Sequence, residues 1–319
     1  VVICKDTPNF IGNRFFGVAS SFGIEKAFHD GYTVSEIDAI TGPLIGRPKS
    51  ASFRLMDLVG LDIMGHVTGN LYTAVSHDPY RETLKGEKSA AVISHMAANK
   101  WLGNKTGQGF YRKTMVEGKR EFWTINPETL EYEAPQKARF DSVGAVRKIE
   151  DMGERLRKLL EFDDRAANYV RDLLYFGFAY AAYVTPEIAY SLNDVDDAMR
   201  WGFAHEAGPF EMWDMLGVAD TVAKMEAAGL EVAVWVKEML AAGHESFYTE
   251  DGCYDFTAKA TKPIDIDKNI ILVSDLKAEG KEIEKNMSAS LVDMGDGVAL
   301  LEFHSKMNAI DPDIIEMGY

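Results

Sequence analysis

The sequence is poor in cysteine: its 319 residues include only Cys4 and Cys253, which lie far apart and form no CxxC. This argues against a disulfide framework and a cysteine-based zinc site, and it favours a reducing, cytoplasmic location. No apolar run approaches the ~20 residues of a membrane-spanning helix. Basic residues number 34 against 50 acidic ones, a net charge of −16. Because such a surface repels phosphate, we expect neither nucleic acids nor anionic membranes as partners.

The motifs of a self-sufficient active site are also missing. There is no Gly-x-Gly-x-x-Gly fingerprint, P-loop, Gly-x-Ser-x-Gly or His-Glu-x-x-His. The seven histidines show no metal-ligand spacing, so we expect no metal site. His205-Glu206 and His244-Glu245 are adjacent pairs, and neighbours on a helix point about 100° apart. We therefore interpret both pairs as solvated or capping residues rather than acid/base dyads.

Apolar spacing predicts a mainly α-helical chain with short β-hairpins. Thr33-x-x-Glu36 has the spacing of a capping box, and residues 116–142 have the pattern of an extended or hairpin linker. The aromatic stretch 169–192 is interpreted as the core of a helix rather than a surface that stacks bases. The helices are predicted at 10–29, 53–59, 62–75 and 89–100, with helical periodicity resuming from about 143 to 240.

An internal repeat divides the helical part into two. Residues 53–60 (FRLMDLVG) parallel residues 210–217 (FEMWDMLG), which lie 157 positions later, and Ile37-Asp38 parallels Val195-Asp196. The repeat predicts two copies of one helical domain, at 1–115 and 143–250. We expect the copies to pack against each other within the chain as the subunits of a homodimer would.

At both ends of the sequence, short strand patterns stand without the neighbouring strands that they would need. The run Val1–Cys4 predicts a buried strand, and residues 290–303 predict a hairpin around Gly295-Asp296-Gly297. A charged helix is expected at 277–285. A buried strand needs neighbours on both sides, so we expect a fragment truncated at both ends. A complete protein with an edge strand at each end is the alternative.

Residues 5–15 (KDTPNFIGNRF) resemble the junction motif of NAD-dependent 3-hydroxyacyl-CoA dehydrogenases, D-x-P-G-F-[IV]-x-N-R. In that family the motif joins the last strands of a Rossmann-like domain to a helical domain. Asn9 stands where the motif has glycine. Residues 208–217 (GPFEMWDMLG) resemble the family's G-P-F-x-L-x-D-x-x-G segment, and residues 105–111 (KTGQGFY) its K-T-G-x-G-F-Y segment.

The end of the chain resembles a second family. Residues 297–303 (GVALLEF) and 307–310 (MNAI) are similar to the first strands of an enoyl-CoA hydratase (crotonase) domain. Together the resemblances imply a bacterial bifunctional β-oxidation protein with two tandem dehydrogenase C-terminal-like helical domains. The implied segments are 1–115, with 1–5 as a strand remnant of the Rossmann domain, 116–142 as linker, 143–250 as second copy, and 251–319 as linker and truncated crotonase domain.

The dehydrogenase resemblance implies oxidation of (S)-3-hydroxyacyl-CoA by NAD⁺ to 3-ketoacyl-CoA. The catalytic His–Glu pair and the NAD site belong to the family's Rossmann domain, so we expect no bound cofactor and no activity in these residues alone. Asn13 carries over as a catalytic residue whose amide donates to the substrate oxygen; a backbone cap is its alternative role. Arg14 is expected to anchor the junction through an ion pair. Phe10 and Ile11 are candidate acyl-binding residues, or core.

Two other functional classes remain open. The helices could form a non-catalytic dimerisation or scaffold module, and a homodimer is possible in either case. A helical carrier of acyl-CoA or lipid would use the apolar stretch 169–192. A catalytic domain with Gly-x-Gly-x-x-Gly before Val1 would favour the enzyme.

Overall fold

The structure, a computed structural model, describes residues 1–134, 136–264, 270–305 and 309–318. The chain divides into two compact units, Val1–Pro263 and Ile264–Tyr319. Both consist of helices and short antiparallel strands, so the prediction of a mainly α-helical chain is confirmed.

The first unit begins with a group of helices and a small sheet that we call the first helical set. Short 3₁₀ turns at Pro43–Ile45, Pro79–Leu84 and Asn104–Thr106 connect its elements, and the sheet has the antiparallel order β1-β2-β3. The elements are α1 (Gly12–His29), α2 (Val34–Ile40), α3 (Phe53–Val59), α4 (Leu61–Ala74), α5 (Lys88–Ala98), β1 (Tyr111–Val116), β2 (Lys119–Ile125) and β3 (Tyr132–Glu133).

The rest of the first unit, the second helical set, has the same order of helices and then strands. Its sheet is again antiparallel, in the order β4-β5-β6. The elements are α6 (Asp141–Val146), α7 (Met152–Leu160), α8 (Arg165–Ile188), α9 (Leu192–Phe203), α10 (Pro209–Leu216), α11 (Val218–Ala227), α12 (Val234–Ala241), β4 (Tyr248–Thr249), β5 (Gly252–Asp255) and β6 (Ala260–Lys262).

Local sequence explains where several helices begin. The Thr33 hydroxyl accepts from the Glu36 backbone N–H and the Glu36 carboxylate accepts from Thr33 N–H, which confirms the predicted capping box at α2. Ser191 and Asp194 form the same box at α9. Such reciprocal bonds satisfy N–H groups that the first helical turn leaves without partners.

The same buried carboxylate arrangement occurs in both helical sets. Asp38 accepts from the backbone N–H groups of residues 52–54 and from the Tyr111 hydroxyl. Asp196 accepts from the N–H groups of Phe210 and Glu211 and from the Tyr248 hydroxyl. Each aspartate thus ties the start of a short helix to the tyrosine that begins a strand.

A second carboxylate in each set ties the end of that short helix to the same strand. Asp57 accepts from the backbone N–H groups of Phe110 and Tyr111 at 2.8 and 2.9 Å. Asp214 accepts from those of Phe247 and Tyr248, also at 2.8 and 2.9 Å. Asp57 and Asp214 occupy matching positions of the sequence repeat, and they make the same pair of hydrogen bonds.

We expect Asp57 and Asp214 to titrate near neutrality. Burial raises the pKa of each carboxyl from 3.8 to about 6, although the backbone N–H bonds act in the opposite direction. Because the folded-state pKa lies above the ordinary value, the protonated form of each carboxyl favours the folded state. Its contribution to the free energy of unfolding is full below about pH 3.8 and is lost as the pH rises through 6. Carboxyl ¹³C shifts, assigned with Asp57→Asn and Asp214→Asn, should show midpoints near 6; midpoints at or below 3.8 would contradict this.

The two helical sets share one hydrophobic core. Helix α1 packs along α8, where the Phe22 and Phe176 rings stack with centroids 3.8 Å apart. A Cβ on Gly23 would lie 2.9 Å from the Leu173 side chain. The aromatic residues of α8 from Tyr169 to Tyr180 are buried, which confirms their interpretation as helix core; Tyr183 and Tyr190, later in the same stretch, are exposed.

Close packing at Gly208 predicts a severe effect of one methyl group. A Cβ there would lie 2.2 Å from the Asp196 Oδ1 and 2.3 Å from its Cα, so Gly208→Ala must displace the carboxylate that holds α10. We expect a loss of about 2–3 kcal/mol in the free energy of unfolding, measured by urea denaturation. Gly144→Ala is the matched control, since nothing lies within 4 Å of its Cβ position in α6. Equal effects of the two variants would refute this reading.

The second unit is a small sheet with two helices. Leu276, Ala289, Val292 and Ile314 are its buried apolar residues among those described. The turn between β8 and β9 has positive φ at Asp296 (50°) and Gly297 (76°), so the predicted hairpin is confirmed. Its elements are α13 (Val273–Ala278), β7 (Glu282–Lys285), β8 (Ala289–Gly295), β9 (Val298–Phe303) and α14 (Pro312–Met317).

Two predictions of local structure are wrong. Residues 1–5 form no strand: Val1 and Ile3 are exposed, and the described hydrogen bonds of this backbone include only one beyond its neighbourhood, from Lys5 N–H to the Ile188 carbonyl. A strand needs a partner along its length. The charged helix at 277–285 ends early because residues 282–285 pair with β8 as β7.

Candidate functional site

Asn13 lies in the first turn of α1 and its side chain is exposed. It borders a groove of about 410 Å³, which we call the Asn13 groove. Phe10 lines this groove from the same side, and Trp201 and Phe203 of α9 line it from the second helical set. A Cβ on Gly12 would lie 2.6 Å from the Phe203 ring, so only glycine allows α9 to approach this closely.

The amide of Asn13 is available for a ligand. Among the hydrogen bonds of the described residues, none uses its side chain, and α1 has no side-chain cap. The alternative role of Asn13 as a backbone cap therefore has no bond to support it. The amide offers two N–H donors and a carbonyl acceptor. It stands at the positive end of an 18-residue helix, where negative charge on a ligand oxygen is favoured.

Phe10 and Ile11, which precede Asn13, face different environments: the groove and the hydrophobic core. Phe10 is 57% exposed, whereas Ile11 is 2% exposed and packs into the core. Ile11 therefore does not face the groove, and of the two candidate acyl-binding residues only Phe10 can contact a ligand there. Asn9 has φ 64°, a left-handed conformation that asparagine tolerates better than most residues. This accounts for asparagine at a position where glycine is usual in the motif.

Arg14, next to Asn13, is buried in a polar cluster. Its guanidinium donates to the Asp78 carboxylate at 2.8 Å and to the Tyr180 hydroxyl at 2.9 Å, and it pairs with Glu187 at 3.1 Å. The Arg14 and Asp78 side chains are both 0% exposed. The predicted ion pair of Arg14 is confirmed. Because Tyr180 and Glu187 belong to α8, the cluster holds the start of α1 against the second helical set.

Asp78 also caps the 3₁₀ turn that follows it. Its other oxygen accepts from the Tyr80 backbone N–H at 2.8 Å and so begins the 3₁₀ turn at 79–84. Its first oxygen also accepts from the Tyr180 hydroxyl at 3.0 Å. His77 lies 3.0 Å from the Glu187 carboxylate. These bonds fix Arg14, and with it the backbone at the start of α1 where Asn13 lies.

Two kinds of feature are absent from the described residues. No group of three or more His, Cys, Asp or Glu side chains there is arranged to hold a metal ion. No helix in the same part of the chain has both the length and the apolar composition needed to cross a membrane.

A family model matches the part of the chain that begins at Phe10. Residues 10–113 match the family model described as 3-hydroxyacyl-CoA dehydrogenase, C-terminal domain. This stretch contains Asn13, Arg14 and the whole first helical set up to the start of β1. Trp201 and Phe203, which also line the Asn13 groove, lie outside the matched region.

Relatives with the same name extend the similarity over the chain. A probable 3-hydroxyacyl-CoA dehydrogenase of Bacillus subtilis is 40% identical over 319 residues, 99% of this chain and 39% of that protein. One of Deinococcus radiodurans is 40% identical over 124 residues, 38% of this chain and 33% of that protein. A putative fatty acid oxidation complex trifunctional enzyme of Rickettsia felis is 28% identical over 213 residues, 66% of this chain and 28% of that protein. The chain thus spans well under half the length of these relatives.

Sequence reasoning missed most of the residues around Asn13. Asp78, Tyr180 and Glu187 bind Arg14, and Trp201 and Phe203 line the groove, yet they lie 64 or more positions away along the chain. The expected packing of the two copies indicated that the second helical set would be near. It did not indicate which of its residues would face Asn13.

Proposed function

We propose that this chain is the C-terminal helical part of an NAD-dependent (S)-3-hydroxyacyl-CoA dehydrogenase of fatty-acid oxidation. The observation that carries the proposal is the exposed Asn13 amide, which is free of described hydrogen bonds and lies next to the buried Arg14 cluster at the start of α1. The family match over residues 10–113 and the names of the relatives support it.

In the proposed reaction the Asn13 amide binds the oxygen of the substrate's 3-hydroxyl group. A base would take the hydroxyl proton, and NAD⁺, when bound, would supply the ring that accepts the hydride from the same carbon. A preorganised N–H donor stabilises negative charge that develops on the oxygen. Phe10 offers an apolar face to the acyl chain. Since the sequence has no dinucleotide fingerprint, NAD⁺ and the base would belong to residues outside it.

We also propose that the two helical sets are tandem copies of one domain, of which only the first carries a catalytic residue. The matching carboxylates, Asp38 with Asp196 and Asp57 with Asp214, support common origin. The packing of α1 on α8 would then take the place of a contact between subunits. The second set contributes Trp201 and Phe203 to the Asn13 groove but has no counterpart of Asn13-Arg14 in its sequence.

The second unit is proposed as the beginning of an enoyl-CoA hydratase domain. The hairpin β8–β9 has the strand-turn-strand form that the resemblance implies. Of the similar residues further on, Met307 and Asn308 lie outside the described residues. The name of the Rickettsia felis relative is compatible with more than one fatty-acid oxidation activity in one chain.

The test is an assay of the full-length protein encoded by the gene. We expect NAD⁺-dependent formation of NADH with (S)-3-hydroxybutyryl-CoA and none with the (R) enantiomer. The 319-residue chain alone should show no turnover and no saturable NAD⁺ binding in calorimetry. A folded full-length protein without dehydrogenase activity on short and long substrates would favour the scaffold alternative.

A further inference from the structure

A second cleft lies away from Asn13, where α3 meets the sheet of the first helical set. Its volume is about 600 Å³, within the range of small-molecule sites. Three cationic side chains line it, those of Lys49, Arg54 and Lys113. Phe122 adds an aromatic face and Asn104 an amide. We call it the basic cleft.

The three cations of the basic cleft have no carboxylate partners among the described residues. None of them takes part in an ion pair there, although the sequence has 16 more acidic than basic residues. Lys105, which adjoins Asn104 of the cleft, contacts Asp62. Three positive charges without carboxylate partners at one cleft favour the binding of an anion there.

Arg54 is held in place without using its side-chain donors. Its guanidinium stacks 4.0 Å from the centroid of the Tyr111 ring and 5.0 Å from that of Phe122. Tyr111 is itself fixed, because its hydroxyl donates to Asp38 and its backbone N–H to Asp57. Stacking of this kind orients the planar guanidinium and leaves its N–H groups free to bind a carboxylate or phosphate.

The acidic groups near the cleft form no ion pair with these cations among the described residues. Asp57 borders it, but it is 3% exposed and its two oxygens accept the N–H groups of Phe110 and Tyr111. The Asp38 oxygens are used by residues 52–54 and by Tyr111. The guanidinium and ammonium groups therefore remain available to a ligand in the cleft.

The second helical set has the same arrangement of helices and strands without positive charges at the corresponding positions. At the repeat spacing of 157 residues, Glu206 stands for Lys49 and Glu211 for Arg54. Glu250 stands for Lys113, each lying two residues after the tyrosine that binds the buried aspartate. Glutamate thus occupies all three corresponding positions in the second set, where Glu206 and Glu211 pair with arginines.

We propose that the basic cleft binds an organic phosphate, with the Arg54 guanidinium as its main anchor. Three cations suit a group of multiple negative charge, and the fork of arginine matches phosphate oxygens. The exposed edge of Phe122 and the size of the cleft provide for an attached ring system rather than a bare ion. Nucleotides and coenzyme A share this chemistry. The proposal stands apart from the proposed function, because the cleft contains neither Asn13 nor any residue of its groove.

The experiment is calorimetric titration of the full chain with coenzyme A, ATP and inorganic phosphate at low and high salt. We expect saturable binding of coenzyme A or ATP that weakens as salt rises. Arg54→Gln should weaken it about tenfold or more, because charge-assisted bonds to phosphate are lost. Lys113→Gln should weaken it less, and Arg54→Lys should recover part of the affinity. Lys224→Gln, which removes an exposed charge on α11, is the matched control and should change nothing.

The outcomes separate the possibilities. Preference for coenzyme A or for ATP would support the proposal and identify the source of the phosphate. Binding that Asn13→Ala weakens and Arg54→Gln does not would overturn it in favour of the Asn13 groove. Absence of saturable binding at millimolar concentrations of all three probes, or binding of inorganic phosphate alone, would also overturn it. Circular dichroism of each variant establishes that the fold is intact.

Discussion

Replacing Arg14 by methionine should lower the free energy of unfolding by about 3–5 kcal/mol. The Arg14 and Asp78 side chains are fully buried, and the substitution would leave the Asp78 carboxyl group without its partner. The Tyr180 hydroxyl and Glu187 would also lose a donor. Methionine fills similar space, so the loss reports the uncompensated carboxylate rather than a cavity. Urea denaturation of wild type and variant measures the difference.

Two further variants test this explanation. Arg139→Met removes an exposed arginine outside the cluster and should change stability by less than about 0.5 kcal/mol. In the double variant Arg14→Met/Asp78→Asn, neutralising the stranded acid should restore part of the loss. If Arg14→Met alone proved as stable as wild type, the ion pair would not hold α1 against α8.

Replacing Asn13 by alanine in the full-length protein should lower kcat by about 10²–10³, the cost of losing one preorganised donor in acyl-transfer chemistry. The prediction rests on the proposed function. The donor acts on charge that develops only in the transition state, so KM should change much less than kcat. Because Asn13 is exposed and makes no described side-chain hydrogen bond, the variant should fold normally. Steady-state rates of NADH formation and thermal denaturation test both statements.

Asn70→Ala is the matched control, since it removes an exposed asparagine from α4. It should leave both kcat and KM unchanged. A folded Asn13→Ala protein with wild-type kcat would remove the catalytic role. An equal rise in KM at constant kcat would instead make Asn13 a residue that binds substrate and transition state alike.

Much of the local structure could be predicted because its causes are local. The capping box at Thr33 and Glu36 needs residues three apart, and the turn of the β8–β9 hairpin needs positive φ at Asp296-Gly297. Helix α3 begins and ends at the predicted residues, 53 and 59. The prediction at 282–285 was wrong because β7 is stabilised by pairing with β8, a contact outside the helical pattern.

The repeat could be found in the sequence, but its physical meaning could not. In the sequence, Asp38 and Asp57 are only matching letters of the repeat. The structure shows that Asp38 accepts from the Phe53 backbone N–H and Asp57 from that of Phe110. The reversal of charge at Arg54 and Glu211 was visible in the sequence. Its significance depends on Arg54 being stacked on Tyr111 with no carboxylate partner, which requires the structure.

By itself the sequence determined the helical periodicity, the repeated pattern at 53–60 and 210–217, and the candidacy of Asn13 and Arg14 through their motif. Only the tertiary structure decided that Ile11 faces the core while Phe10 is exposed. It alone brought Asp78 and Tyr180 to Arg14 and placed Trp201 across the groove from Asn13. The reason is physical: capping and amphipathic patterns depend on residues a few positions apart, whereas a buried charge must find its partners wherever packing of distant helices places them.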